Sequence, residues 1–295
     1  MAVLEQSLGT FTGQPVALEG GITNRNYRVV LGGEDYVVRL CGKDTAVLGI
    51  DRDAECEATV AASRLGVGPE VVAYRPDLEC LVTRWVEGRP VTADELRHGP
   101  ALEQVASALR AVHGGPALDA RFDSFALVAG YRDEVLARGG ELPAAHAEAA
   151  AAAARIAAVL KGPDHQPVPC HNDLLTANFI HDGERIRIVD WEYAGMGDRF
   201  FDLGNLAVNN GFGPADEARL LEAYFQEPVS PRRAAALRLM RVMSDFREAM
   251  WGAVQDVVSE LDFDYRAYRD EHFARLLAAV RDPDFERNLA DGATP

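Results

Sequence analysis

The segment CHNDLLTANF, residues 170–179, gathers an imidazole (His171), two amides (Asn172 and Asn178) and a carboxylate (Asp173) among apolar neighbours. A second carboxylate, Asp190, closes the alternating stretch IHDGERIRIVD that follows. Asp173 and Asn178 are five positions apart in an irregular stretch, and Asp190 ends a hairpin strand. Such a loop can turn three oxygen ligands or acceptors toward one point. Hard oxygens from carboxylates and an amide suit Mg2+, which is held by one or two carboxylates together with substrate phosphates. Zinc would ask for more His and Cys.

A carboxylate close to such a metal but not bound to it could orient or deprotonate a hydroxyl nucleophile. That division of labour belongs to kinase-type phosphoryl transfer: a loop Asp as base, an Asn five residues on, and a strand-end Asp for Mg2+. An isolated H-x-D-x-x-x-x-N string arises by chance, and His and Asp also cap turns. The joint pattern with Asp190, placed after a strand-rich region, is what gives the reading its weight.

These groups need a scaffold, and strand signals come first. RNYRVVL (25–31) and DYVVRLC (35–41) are alternating or β-branched runs separated by GGE, a hairpin signal. RDAECEATVAASRL (52–65) carries small and apolar residues at helical spacing, with Gly66 as a C-cap. PEVVAY and CLVTRW read as two more strands, so the pattern predicts a small sheet with one helix inserted after its third strand. From about residue 93 helices dominate. ALEQVASALRAVHG (101–114) sets Leu102, Val105, Leu109 and Val112 on one face and stops at Gly114. Further helices are predicted over 143–162, 215–226, 231–258 and 262–281, with a hairpin around Asp182-Gly183 between them. A boundary near Gly88–Pro90 divides a small mixed lobe (1–88) from a larger helical one (89–295), and clefts between such lobes commonly hold ligands.

Composition narrows the partners. Hydrophobic residues at 48% and charged residues at 26% describe a soluble globular chain, and no apolar run approaches the ~20 residues of a membrane span. The net charge of −16 argues against nucleic acid or an anionic membrane and favours a small cationic ligand. Cys41, Cys56, Cys80 and Cys170 form no C-x-x-C pair and read as reduced thiols of a cytoplasmic protein. The N-terminus has no basic start and no continuous apolar segment, so no secretory signal is expected. Lys43 and Lys161 are the only lysines, so nearly all positive charge is arginine.

CHNDLLTANF together with IVDWEYAG resembles the catalytic and metal-binding segments of the aminoglycoside phosphotransferase and choline kinase group, small-molecule kinases with a protein-kinase-like fold. LEGGITNRNYRV (18–29) is similar to the group's nucleotide-covering loop. IDRDAECEATVAASRLGVGPEVV (50–72) is similar to the helix that supplies the acidic partner of a phosphate-contacting cation. The resemblance runs from about residue 15 to 280 and implies an α+β, bilobal fold. In it an antiparallel sheet lobe with one helix binds nucleotide, and a mainly helical lobe carries catalysis and the acceptor. It implies ATP and Mg2+ as cofactors.

By the same resemblance Asp173 is the catalytic base or orienter, His171 buttresses the catalytic loop, and Asn178 and Asp190 hold Mg2+. Gly20-Gly21 stand without a G-x-G-x-x-G pattern, so phosphate would be cradled by backbone amides around Gly21 and by Thr23, Asn24 or Asn26. Arg39 occupies the place of the protein-kinase lysine, and an arginine fork can grip phosphate oxygens. Its partner is expected to be Glu55, with Glu57 as the alternative. CLVTRWVEG (80–88) resembles the hinge whose backbone pairs with adenine, which brings Thr83 and Trp85 to the nucleotide. Asp202 is expected to tie loops together.

For the acceptor, DWEYAGMGDRFFDLGNLAVNNGF and REAMWGAVQDVVSELDFDYRAY resemble bacterial choline kinases more than aminoglycoside enzymes. A quaternary ammonium has no hydrogen to donate and is held by aromatic faces, at about 0.5–2 kcal/mol each. Trp191, Tyr193, Phe212 and Trp251 are the candidates, with Tyr265 or Tyr268 in addition and Glu248 as an acidic partner. Any one of these rings could instead be core, Phe212 above all. Ethanolamine, thiamine or an aminoglycoside is the alternative acceptor, and an ethanolamine preference would point to Asp245, Glu248 or Asp256. A catalytically silent binding protein of the same fold is the alternative class, and a monomer or homodimer is expected.

Overall fold

The computed structural model describes residues 2–18, 24–42, 45–162, 165–259 and 261–293. After a short helix α1 (Ala2–Leu8) come strands β1 (Phe11–Leu18), β2 (Arg25–Leu31) and β3 (Glu34–Leu40). Helix α2 (Arg52–Arg64) then leads into β4 (Val71–Arg75) and β5 (Cys80–Arg84). The five strands form one antiparallel sheet in the order β1-β2-β3-β5-β4, so the helix does follow the third strand. Gly32 and Gly33, both at positive φ, make the two-residue turn that pairs Leu31 with Glu34. Asp51 caps α2 by accepting hydrogen bonds from the amides of Asp53 and Ala54.

Strand β1 has no alternating signal in FTGQPVAL because most of it is exposed. Its place at the sheet edge tolerates Pro15, and the register shifts between Thr12 and Val16 to accommodate it.

The remainder is mainly helical. Strand β6 (Arg89–Pro90) is followed by α3 (Ala93–His98), α4 (Ala101–His113), α5 (Ser124–Ala137) and α6 (His146–Leu160). Four short strands follow: β7 (Val168–Cys170), β8 (Phe179–His181), β9 (Ile186–Ile188) and β10 (Gly195–Gly197). Then come α7 (Arg199–Asn209), α8 (Pro214–Phe225), α9 (Pro231–Val258), α10 (Tyr265–Arg281) and α11 (Asp284–Gly292). Helix α4 buries Leu102, Val105, Leu109 and Val112, the stripe its spacing requires. The 28-residue α9 is the hub, packed against α5, α7, α10 and α11. Helix α5 was not expected because its apolar residues form no single stripe. Among the described residues no helix is long and apolar enough to cross a membrane.

Candidate active site

The loop after β7 is held from beneath. Asp202 of α7, fully buried, accepts hydrogen bonds from the amides of His171 (2.8 Å) and Asn172 (2.6 Å). Asn205, one turn on, accepts from the Leu174 amide at 2.5 Å. His113 of α4 contacts Asp202 at 3.0 Å and Tyr224 at 2.6 Å, so the support reaches α8. This is the loop-tying role expected of Asp202. Asn172 takes a left-handed conformation (φ 68°), which asparagine tolerates better than most residues. So many anchors are what a strained turn needs to persist.

His171 is a brace. Its Nε2 lies 3.0 Å from the Val189 carbonyl and its Nδ1 accepts from the Asp173 amide at 3.2 Å. That pair of bonds requires the neutral tautomer with hydrogen on Nε2. Burial pushes the imidazole pKa down, in the same sense. The ring meets Trp191 edge-on at 4.6 Å.

Asn178 and Asp190 come together through the β8–β9 hairpin. Phe179 pairs with Ile188, and the Val189 amide donates to the Asn178 carbonyl, so Asn178 stands beside the Val189–Asp190 step. The Asn178 amide donates to the Asp173 carbonyl at 2.8 Å. Asp190, like Asn172, is left-handed (φ 69°).

From the sheet, Arg39 of β3 reaches Glu55 of α2 at 2.5 Å and Asp190 at 2.6 Å, and its Nε donates to Asn26 at 3.2 Å. Burial works against the Arg39 charge, but Asp190, Glu55 and Glu192 outweigh it and hold its pKa above the ordinary value. Glu55 is therefore the partner. Glu57 instead accepts from the Asp119 amide.

Two members of this ionic group, Arg52 and Glu192, went unrecognised in the sequence. Arg52 bonds Glu55 (2.6 Å), Glu192 (3.1 Å) and Asn24 (2.7 Å), and Asn24 donates to Glu192 at 2.7 Å. Burial, with Asp190 nearby, pushes the Glu192 carboxyl up to about 7. Available signals were the i,i+3 spacing of Arg52 and Glu55 and the position of Glu192 two residues beyond Asp190. Asn24, expected at phosphate, is buried in this network instead. Gly21 and Thr23 lie outside the described residues.

A cavity of about 270 Å³ opens between sheet and hairpin, lined by Asn26, Arg39, Thr83, Trp85, Asn178 and Asp190 together with the apolar Val37, Leu81 and Ile180. Apolar walls with convergent charged groups at one cleft are the composition of a small-ligand site.

The other side of Asp173 faces α9. Arg247, almost fully buried, lies 3.8 Å from the Asp173 carboxylate and donates to the Asn172 carbonyl at 3.2 Å. It is ion-paired with Glu248, whose other oxygen accepts from Tyr268 at 2.8 Å. Its guanidinium carbon sits 4.3 Å from the Tyr193 ring centre. Burial pushes the Asp173 carboxyl up to about 8, with Arg247 opposing and Glu248 adding to the rise. The side chain keeps 15% of its surface exposed, so solvent tempers that shift.

Trp251 donates from Nε1 to the Tyr193 hydroxyl at 3.1 Å and meets Tyr265 and Tyr268 edge-on at 5.9 and 5.6 Å. Tyr193, Glu248 and Trp251 are thus brought together with both Tyr265 and Tyr268. Trp191 and Phe212 are not part of that group. Trp191 donates to the Ile188 carbonyl and lines the cavity between sheet and hairpin, whereas Phe212 is buried in the core with Leu203, Leu206 and Leu220. Asp245 is taken by Arg275 and His272, and Asp256 by Arg266.

Residues 15–237 match the phosphotransferase enzyme family. The chain belongs to that family. A choline/ethanolamine kinase family protein from Mesorhizobium loti has a similar structure, with 30% identity and a TM-score of 0.85. That alignment covers 99% of this chain and 98% of the other. Protein LicA of Haemophilus influenzae is 24% identical over 277 residues, 89% of this chain and 80% of LicA. Ethanolamine kinase 2 of Rattus norvegicus is 34% identical over 126 residues, 36% of this chain. The match spans about a third (32%) of that kinase's length. Membership of this phosphotransferase family, within its choline/ethanolamine kinase branch, accounts for the bilobal arrangement of a five-stranded antiparallel sheet followed by helices.

Proposed function

We propose that this phosphotransferase moves the γ-phosphate of ATP to the hydroxyl of a small cationic amino alcohol, choline first. The carrying observation is the position of Asp173 between two built groups. One is the Arg39–Glu55–Asp190 cluster at the cavity, and the other is the Glu248–Tyr268–Trp251–Tyr193 cluster on α9 and α10. The base position therefore adjoins both a charge set suited to phosphate and an aromatic, acidic cluster suited to an organic cation.

In this reading Arg39 contacts phosphate oxygens, and the cavity wall at Val37, Leu81 and Thr83 takes the adenine. The donor set fits Mg2+, since the Asp190 carboxylate and the Asn178 amide supply hard oxygens and, among the described residues that line the cavity, there is no thiol or imidazole. Asn178 and Asp190 would hold the ion, which would neutralise charge on the transferring phosphate. Asp173 accepts or orients the acceptor's hydroxyl proton. His171 keeps the loop in register and exchanges no proton, because both ring nitrogens are committed to backbone.

Coupled ADP release across choline, ethanolamine, thiamine and aminoglycosides tests the reading. Choline-dependent turnover that disappears in Asp173→Ala is the expected result, and retained turnover in that variant would refute the mechanism.

A further inference from the structure

Both Glu248 oxygens already carry a hydrogen bond. Arg247 occupies Oε1, and the Tyr268 hydroxyl donates to Oε2. The same guanidinium lies on the Tyr193 ring and donates to the Asn172 carbonyl. Its Nε is buried without a partner among the described residues, so a purely structural requirement does not account for the whole group. The proposed acceptor cluster thus already contains a cation, paired with Glu248. Asp245 and Asp256, the other carboxylates of α9, are bonded elsewhere.

The two candidate acceptor heads make different demands. A primary ammonium is a compact donor of three hydrogen bonds and loses strongly when buried without acceptors. A quaternary ammonium donates none and needs only aromatic surface and a diffuse negative field. With the Glu248 charge paired by Arg247 and each oxygen already bonded, the cluster suits the second kind of head and leaves the first no unshared anionic partner there.

We propose that Arg247 is a specificity-determining residue, which by pairing with the Glu248 charge selects quaternary over primary ammonium acceptors. The inference rests on the amino alcohol kinase reading above. Freeing a Glu248 oxygen should admit a primary ammonium, while the aromatic surface for a quaternary one stays in place.

The test compares choline with ethanolamine in the intact protein, by ADP release for kcat/KM and by calorimetry for Kd. Wild type should favour choline. Arg247→Met should lower the choline-to-ethanolamine ratio of kcat/KM by about ten-fold or more, the scale of one charge-assisted hydrogen bond. Tyr268→Phe frees the other oxygen and should move the ratio the same way by a few-fold, which decides the matter if Arg247→Met does not fold. Arg247→Lys, which keeps the ion pair, should keep the ratio. Because Arg247 lies beside Asp173, kcat will fall for both acceptors, and only the ratio bears on specificity. Ethanolamine preference in wild type, or an unchanged ratio in the folded variants, would overturn the inference. Discrimination in Kd without turnover would sink the kinase reading and leave the role of Arg247 standing. If neither cation bound, the acceptor assignment would fall and the inference with it.

Discussion

Arg39 and Asp190, separated by 151 positions in the chain, meet at 2.6 Å and join the sheet to the end of the β8–β9 hairpin. The contact is buried on the arginine side and shares its donor with Glu55. Replacing Arg39 by Met leaves Glu55 and Asp190 facing each other without their shared cation. Breaking a buried pair on one side costs about 3–5 kcal/mol. Urea unfolding should show a loss on that scale, and the KM for ATP should rise together with it. Arg39→Lys should recover more of the stability than of the ATP affinity, since a lysine lacks the fork.

Asp173→Asn keeps the shape of the loop but removes the proton acceptor. A drop in kcat of about 10²–10⁴-fold is expected, with little change in thermal stability. Single-turnover phosphoryl transfer read beside a melting curve separates this from simple unfolding.

The raised carboxyls give a signed pH dependence. Asp173 titrates at about 8 in the fold against an ordinary 3.8, and Glu192 at about 7 against 4.5. Both groups hold protons in the folded state that the unfolded chain releases. Stability of the metal-free protein should therefore fall as pH rises from about 4 toward 8. Melting temperatures across that range should slope less in Asp173→Asn than in wild type. Equal slopes would mean that Asp173 is ionised throughout.

Asp202→Ala orphans the amides of His171 and Asn172 and the ring of His113. Each buried donor left unmade costs about 1–3 kcal/mol, so this variant should be strongly destabilised. Amide exchange at residues 171–174 should accelerate more than exchange in α9. Equal acceleration everywhere would point to global unfolding instead of a released loop.

Two aromatic substitutions separate core from pocket. Phe212→Leu should lower stability by about 1–2 kcal/mol and leave the choline KM unchanged. Trp251→Phe, which loses the bond to the Tyr193 hydroxyl, should raise the choline KM several-fold. The reverse pattern in steady-state kinetics would exchange their roles.

The candidate loop was legible because its polar residues are compact in sequence: Asp173, Asn178 and Asp190 fall within one loop and one hairpin. The Gly32-Gly33 turn and the α4 stripe were legible for the same reason, since both are set by neighbours a few positions away. Arg247 stands four residues before Trp251 with nothing local to mark its role, and its contact with Asn172 spans 75 positions. The Arg52–Glu192 pair spans 140. Such pairings leave no periodic trace. Trp191 and Tyr193 carried the same aromatic signal two residues apart, yet one braces His171 and the other receives Arg247. Local pattern cannot sort them, because the difference lies in which helices arrive from elsewhere.

Helix α9 carries Arg247, Glu248 and Trp251 on the same rod that buries Leu239, Met243 and Met250. Helices α5, α7, α10 and α11 clamp that rod, with α6 and α8 also against it. The rod is the fixed wall of the proposed acceptor cluster, because moving it would dismantle the core, while Tyr265 and Tyr268 stand on the separate helix α10. Altered acceptor preference is therefore cheapest to reach through side chains of α10, and changes on α9 carry a stability cost with every gain in recognition.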